Sequence, residues 1–198
     1  MRNRLAKLTS NILNPFLVSF AVIILLAFES TATTPDALKW SSISVAFSVL
    51  PVFAIVVCLV QNKKLESIFV NPRQQRTRVY LLASAFAVAG YLVLYFLEAP
   101  VLLMATFAAG LAAIVIFMGV NLSWKISLHT AFVAASVTVL IIVYDTIGAV
   151  SVVLLPPVAW SRIKLEHHSP AQVATGALLA ALIVAIVFQL FGLIGTHA

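Results

Sequence analysis

The chain has 198 residues and a net charge of +6, yet only 9% of its residues are charged, against about 25% in soluble proteins. Hydrophobic residues make up 63% of the chain, and the mean hydropathy is +1.12. This composition excludes a soluble globular protein, and we expect no nucleic-acid partner. It predicts an all-α integral membrane protein, because only helices and closed barrels satisfy their backbone hydrogen bonds inside a bilayer.

Seven apolar runs are long enough to cross a hydrocarbon core about 30 Å thick, which takes roughly 20 helical residues. The sixth run contains Pro156 and Pro157, which we interpret as a kink, because neighbouring helices can satisfy the carbonyls that a proline frees. No repeat or long linker interrupts the chain, so we predict one membrane domain over residues 1–198, a bundle of about seven helices. The predicted spans are residues 11–28, 41–60, 79–97, 100–120, 127–144, 147–165 and 171–193.

The basic residues fall on one side of this predicted bundle. Eleven of the twelve Lys and Arg residues lie in the N-terminal segment or next to the loops after the second, fourth and sixth spans. Only Lys39 lies on the other side. The positive-inside rule therefore predicts that the N-terminus and these loops are cytoplasmic. Removing one span would spoil this segregation, which favours the count of seven.

Two polar stretches contain most of the side chains suited to chemistry: "KISLHT" (125–130) and "SRIKLEHHSPAQ" (161–172). One helix out and one back separate them, so both are expected at one membrane face, together with "NPRQQRTR" (71–78). Clustered basic side chains and a helix N-terminus suit a phosphate group, and Ser127 is expected to cap the fifth helix. Two His residues allow one imidazole to attack phosphorus while the other protonates the leaving alkoxide.

The second stretch resembles the S-R-x5-H-x3-D signature of the type 2 phosphatidic acid phosphatase and haloperoxidase superfamily, with Ser161, Arg162 and His168 in register. "ISLH" is similar to the P-S-G-H motif of this family, through Ser127 and His129. The resemblance covers residues 71–193. It implies a phosphatase-like helical core, which two additional predicted helices (11–28 and 41–60) precede.

The resemblance also implies roles for these residues. His168 is expected to be the nucleophile that becomes phosphorylated, His129 the general acid, and Arg162 a phosphate ligand together with Ser127 and Ser161. The expected activity is hydrolysis of a lipid phosphate or polyprenyl diphosphate at the cytoplasmic face. No metal and no cofactor are expected, since fixed cations can stabilise the transition-state oxygens.

The chain departs from the family's pattern at several positions. Leu128 stands where the motif has Gly, and the first family motif, K-x6-R-P, is not present as such. Arg73 and Arg76 are its predicted counterparts, since residues three apart share one side of a helix. Lys125, one turn before His129, is a further candidate for the missing cation.

Gln172 replaces the closing Asp of the signature. It lies four residues after His168 and is therefore expected on the same helix face, where its carbonyl can hold the imidazole in one tautomer. A neutral amide cannot offset the positive charge that develops on the imidazole during attack. We therefore predict Glu166 as the substitute carboxylate.

These departures leave a second function open. A catalytically degenerate member of the family would bind phosphorylated lipid or scaffold a membrane complex without turnover. The presence of His129, Arg162 and His168 favours the enzyme, whereas Gln172 and the altered first motif favour the binding protein. A transporter would need a polar path, and no span carries an acidic residue in its middle. The expected partner is a phosphorylated membrane lipid, and a homo-oligomer or a membrane-complex subunit stays open.

Overall fold

The computed structural model describes residues 2–69 and 72–195, which form helices joined by short connections and contain no β-strand. The predicted all-α class is therefore confirmed for the described chain. A short 3-10 helix, Val150–Leu154, lies between α7 and α8. The α-helices are α1 (Arg2–Ile12), α2 (Pro15–Glu29), α3 (Thr34–Phe47), α4 (Val49–Gln61), α5 (Arg73–Phe96), α6 (Val101–Asn121), α7 (Leu128–Ala149), α8 (Leu155–Lys164) and α9 (Pro170–Leu190).

Within the described residues, five helical segments are long and apolar enough to cross a membrane. α1 and α2, bent by 42° relative to each other, provide a sixth if the pair forms one span. This set agrees with the predicted multi-pass membrane protein, while the count of seven spans stays a prediction. The five segments are Thr34–Gln61, Gln74–Phe96, Val101–Asn121, Leu128–Lys164 and Pro170–Leu190.

The helices group into two compact units. The first unit consists of Met1–Ser19 and Lys125–Ala198, and the second of Phe20–Trp124. The first unit therefore contains α1, the start of α2, and α7 to α9 with the 3-10 helix. It includes residues 125–130 and 161–172, the two polar stretches that are predicted to form the site.

Where one span was predicted over residues 11–28, the structure has two helices that meet at Asn14. The Asn14 side-chain oxygen accepts hydrogen bonds from the backbone N–H groups of Phe16 (2.9 Å) and Leu17 (3.1 Å). Pro15 begins α2. A backbone N–H at this position would have no helical acceptor, so proline costs no hydrogen bond there. This cap starts a new helix and leaves α1 as a separate element before it.

The chain reverses direction between α7 and α8. Asp145 has φ 49° and ψ −125°, which lie outside the helical region, and the helix bends there. Gly148 permits the bend, because a Cβ at this position would collide with the carbonyl oxygen of Leu140. Beyond the bend, buried Val158 of α8 packs in one cluster with Val133 of α7. The ends of this hairpin, the start of α7 and the end of α8, therefore lie on the same side.

The prolines of the predicted kink, Pro156 and Pro157, lie at the start of a helix. Both prolines lie in the first turn of α8, directly after the 3-10 helix Val150–Leu154. Backbone N–H groups in a first turn have no helical acceptor, so proline is tolerated there without bending the helix. The change of direction occurs at Asp145 instead.

In the second unit, α5 and α6 form a helical hairpin, and α3 and α4 pack against α5. Gly90 of α5 allows this close packing, because a Cβ at Gly90 would lie 2.9 Å from the Cβ of Phe47 in α3. α3 and α4 are separated at Ser48, three residues before Pro51. Proline interrupts a helix here because its ring clashes with the carbonyl four residues earlier.

Candidate functional site

The start of α7 is hydrogen-bonded to the first turn of α9. The backbone N–H of Ser127 donates to the carbonyl of Gln172 (3.2 Å), and the Thr130 hydroxyl donates to the carbonyl of Val173 (3.3 Å). Ser127 is also the N-cap of α7, because its side chain accepts from the N–H of Thr130. The predicted capping role of Ser127 is confirmed, and the two helix N-termini lie side by side.

Gly176 of α9 makes this close approach possible. A Cβ at Gly176 would lie 2.9 Å from the carbonyl oxygen of Ser127 and 3.4 Å from its nitrogen. Since both atoms belong to the backbone, they have little freedom to move away. The glycine therefore sets how closely the N-terminus of α7 packs on α9.

α8 ends in a left-handed turn at Glu166, whose φ is 58°. The N–H of Glu166 donates to the carbonyl of Ile163 (2.9 Å), and the N–H of His167 donates to the carbonyl of Arg162 (3.2 Å). This pair of bonds is a Schellman motif, in which glycine is the usual residue at the left-handed position. The exposed Glu166 carboxylate makes no hydrogen bond or ion pair within residues 2–69 and 72–195, and its role beside His168 stays a prediction.

A capping box begins α9. The N–H of Gln172 donates to the Ser169 hydroxyl (3.3 Å), and the Gln172 side-chain oxygen accepts from the N–H of Ser169 (3.3 Å). The same oxygen, Oε1, lies 3.0 Å from Nδ1 of His168. His168 precedes the helix, so this contact arises because Gln172 reaches back in the capping box, and not because both residues share a helix face as predicted.

These hydrogen bonds determine which His168 nitrogen carries the proton. A backbone N–H can only donate, so the Gln172 atom that accepts from Ser169 must be the amide oxygen. That oxygen can only accept, and Nδ1 of His168 must therefore be the protonated nitrogen. In the neutral imidazole the lone pair lies on Nε2. Gln172 thus holds neutral His168 in the tautomer whose lone pair is on Nε2.

Arg162 lies at the end of α8 and is almost fully buried, with 1% of its surface exposed. Its Nη1 donates a hydrogen bond to the hydroxyl of Ser10 in α1, and the two atoms are 2.6 Å apart. Ser161 is also buried, and its hydroxyl donates to the carbonyl of Val158 within α8 (2.8 Å). The single hydroxyl hydrogen of Ser161 is thus used inside its own helix. The predicted phosphate-binding role of Ser161 stays a prediction.

Basic side chains from three segments act on His167, which lies between α8 and α9. Burial lowers the pKa of His167 below its ordinary value, and the positive charges of Arg162, Lys125 and Lys7 lower it further. The half-buried Lys125 precedes α7, and the exposed Lys7 belongs to α1. The charges of Arg162, Lys125 and Lys7 therefore all act on His167, and the phosphate-binding roles of Arg162 and Lys125 stay predictions.

The remaining predicted residues are divided between the two units. His129 is the second residue of α7 in the first unit and is 3% exposed, and His168 is 6% exposed. Arg73 and Arg76 begin α5 in the second unit. Arg76 is buried, and its charge acts on the hydroxyl of Tyr80 one turn along. The side chain of Arg73 lies outside the described part of the chain, and the role of both Arg residues in the site stays a prediction.

The contribution of α1 was not predicted from the sequence, in which the basic residues of this segment indicate only the orientation in the membrane. Lys7 and Ser10 are three residues apart, and residues at this spacing share one helix face. That spacing was visible in the sequence. The break at Asn14 makes α1 a separate helix that packs on α8. Asn14 and Pro15 are typical of a helix start, so this break was also visible in the sequence.

Among the described residues, no group of three or more His, Cys, Asp and Glu side chains is arranged to hold a metal ion. Fold and site together define a multi-pass helical protein in which an oriented histidine, His168, follows a histidine on which three basic side chains act. Such a cluster attracts an anion, and the N-termini of α7 and α9, the positive ends of their helix dipoles, lie side by side. Comparisons with protein-family models, curated proteins and solved structures find no match for this chain.

Proposed function

We propose that this protein is a divergent member of the type 2 phosphatidic acid phosphatase and haloperoxidase superfamily that hydrolyses a lipid phosphate monoester or a polyprenyl diphosphate. The observation that carries the proposal is the 3.0 Å contact between His168 Nδ1 and Gln172 Oε1. This contact leaves the lone pair of neutral His168 on Nε2. His168 follows His167, on which the charges of Arg162, Lys125 and Lys7 act. The order of the motifs, with a helical hairpin between them, adds support.

In the proposed reaction, Nε2 of His168 attacks phosphorus, and the bond from phosphorus to the leaving oxygen breaks. His129 gives its proton to the leaving oxygen, which belongs to the lipid alcohol of a monoester or to the prenyl monophosphate of a diphosphate. Water then attacks the phosphohistidine, His129 accepts a proton from that water, and inorganic phosphate leaves. Arg162 and Lys125 stabilise the equatorial oxygens, on which negative charge accumulates.

We propose that the chain crosses the membrane seven times with its N-terminus and the site in the cytoplasm. This count treats Leu128–Lys164 as two crossings, because the chain reverses at Asp145, and treats α1 with α2 as one. The eleven basic residues of the loops and the N-terminus then face the cytoplasm. Lipid substrates would reach the site from the cytoplasmic leaflet.

Gln172 supports a second candidate function, a protein that binds phosphorylated lipid without turnover. Its amide completes the capping box of α9 and is neutral, so it provides no negative charge to offset the cation that forms on His168 during attack. Phosphate binding through Arg162 and Lys125 does not require that stabilisation. The two candidates therefore share one site and differ in whether phosphate is released.

The decisive experiment is phosphate release by purified full-length protein in EDTA, with phosphatidate, phosphatidylglycerophosphate and a polyprenyl diphosphate as substrates. We expect release from at least one lipid and a loss of more than about 10³-fold in His168→Ala, as for removal of a nucleophile. His167→Ala, one residue earlier, is the matched control and should retain most activity. Binding without release favours the second candidate, and activity that EDTA abolishes contradicts the mechanism.

The role of Glu166 needs its own variant. Glu166→Gln removes the carboxylate with little change of size and leaves the left-handed turn in place. If Glu166 stabilises the imidazolium of His168, turnover should fall by about tenfold or more, the usual size of a lost charge interaction. An undiminished turnover would show that Glu166 serves only the turn that ends α8.

A further inference from the structure

The N-terminal helix α1 contributes a buried hydroxyl to the end of α8. The Ser10 hydroxyl accepts a 2.6 Å hydrogen bond from Nη1 of Arg162, and the two side chains are 4% and 1% exposed. Charged groups are seldom buried so completely unless polar partners surround them. Ser10 is such a partner, and it comes from outside residues 71–193, where the family resemblance lies.

Lys7 lies on the same side of α1 as Ser10. The two are three residues apart in one helix, so their side chains are neighbours on its surface. Lys7 is exposed, and its charge acts on His167 together with those of Arg162 and Lys125. An exposed ammonium group on a flexible chain, beside a buried guanidinium, is suited to contact an incoming anion.

We infer that α1 is part of the anion site: Ser10 positions the guanidinium of Arg162, and Lys7 supplies a cation to an oxygen of the bound phosphate group. The ligand class is a phosphate monoester or diphosphate carrying two or more negative charges. This inference rests on the proposed function for the identity of the site. It explains how a chain without the family's first motif can hold a doubly charged group.

The physical reason for a positioning role is the length of the arginine side chain. An unrestrained Arg loses considerable rotamer entropy when it grips a phosphate, and this loss weakens binding. A hydrogen bond from one nitrogen of its fork to Ser10 restricts that motion before the ligand arrives. The loss on binding is then smaller, and affinity rises without a new contact to the ligand.

Binding of inorganic phosphate to purified full-length protein, measured by calorimetry, tests the role of Lys7. Lys7→Gln should weaken phosphate binding about fivefold to tenfold, the size expected for one exposed charge-assisted hydrogen bond. Arg4→Gln is the matched control, because Arg4 is a basic, exposed residue of the same helix one turn away. It should change the affinity less than twofold. Equal losses in both variants, or no loss in Lys7→Gln, would overturn the assignment.

Ser10 is tested by rescue and by coupling to Arg162. Ser10→Ala should weaken phosphate binding about fivefold, and Ser10→Thr, which retains a hydroxyl, should restore it to within twofold. In an Arg162→Lys background, which removes the planar fork, Ser10→Ala should have no further effect. An equal effect in both backgrounds would overturn the positioning role, and so would phosphate affinity in Ser10→Ala equal to that of the natural protein.

These measurements separate the two proposals, since their readout is binding and not hydrolysis. If phosphate binds and weakens as expected but no lipid is hydrolysed, the inference about α1 stands and the proposed enzyme fails. If lipid is hydrolysed but neither Lys7→Gln nor Ser10→Ala alters phosphate binding, the enzyme stands and the inference fails. A protein that binds no inorganic phosphate at millimolar concentration overturns the inference about α1.

Discussion

The amide oxygen of Gln172 accepts two hydrogen bonds, one from the backbone of Ser169 and one from the imidazole of His168. A single side chain therefore caps α9 and orients the candidate nucleophile. The Asp of the phosphatase signature that this stretch resembles is one methylene shorter than Gln. Gln satisfies the capping box, which prefers Glu or Gln at its third helical residue, but provides no charge.

Gln172→Glu is expected to increase phosphate release by about tenfold, because it keeps the length of the side chain and adds a carboxylate beside His168. Gln172→Asp should gain less, since the shorter side chain cannot reach both Ser169 and His168. The measurement is the turnover number of both variants under identical conditions in EDTA. A Gln172→Glu variant that is slower than the natural protein would contradict the proposed charge effect.

At the scale of elements, the packing of α7 on α9 depends on Gly176. Gly176→Ala would place a Cβ 2.9 Å from the Ser127 carbonyl oxygen, so one helix must shift by a few tenths of an ångström. We expect a lower melting temperature and a tenfold to hundredfold loss of phosphate release, a size typical of small misplacements near a site. Thermal unfolding and turnover would be measured together.

Gly110→Ala in α6 is the matched control, because the Cβ that it would add meets no described atom within 4 Å apart from its chain neighbours and the backbone of its own helix. It should leave stability equal or slightly raised, since alanine favours a helix more than glycine does. If Gly176→Ala behaves like this control in both measurements, close packing of α7 on α9 is not needed for the site.

α1, α8 and the segment before α7 each place a positive charge near His167, and this arrangement gives stability a pH dependence. The pKa of His167 is lowered in the folded protein, so below about pH 6.5 the unfolded chain binds more protons. Neutral His167 therefore adds its full contribution to the free energy of unfolding above about pH 6.5. This contribution is lost as the pH falls through the lowered pKa.

The melting temperature should thus fall as the pH is lowered from 7.5 to 5, and the fall should be smaller in His167→Gln, which cannot be protonated. Thermal unfolding of both proteins across this range is the measurement. Lys7→Gln, which removes one of the repelling charges, should also reduce the fall. A steeper fall in His167→Gln than in the natural protein would show that the charges act elsewhere.

For the whole molecule, the distribution of charge predicts the orientation in the membrane. Cys58 is the single cysteine of the chain, so Cys58→Ser provides a background for single-cysteine labelling. In intact cells, Lys39→Cys should react with a membrane-impermeant maleimide, and Ser123→Cys should react only after permeabilisation. Labelling of Ser123→Cys in intact cells would place the candidate site outside the cytoplasm.

Much of the helical architecture was predictable, because transfer of a helix into lipid depends on the summed hydrophobicity of about twenty consecutive residues. Predicted spans and observed helices agree to within three residues at each end for α6 and α9, whereas α5 begins six residues before its predicted span. Predicted and observed helix boundaries differ where local signals compete with hydrophobicity. A new helix starts after Asn14, and Asp145 interrupts the helix in which it lies. The S-x-x-Q capping box beside His168 was also a readable signal.

The amino-acid sequence by itself determined the all-helical, apolar class of this protein and the residue types available for a site, since both follow from local composition. Tertiary structure alone decided that α1 packs on α8 and that Ser10 contacts Arg162, 152 residues further along the chain. No periodicity or motif contains that information, because a contact between distant residues depends on how whole helices pack together. The same packing, through Gly176 and Ser127, brings the starts of α7 and α9 together.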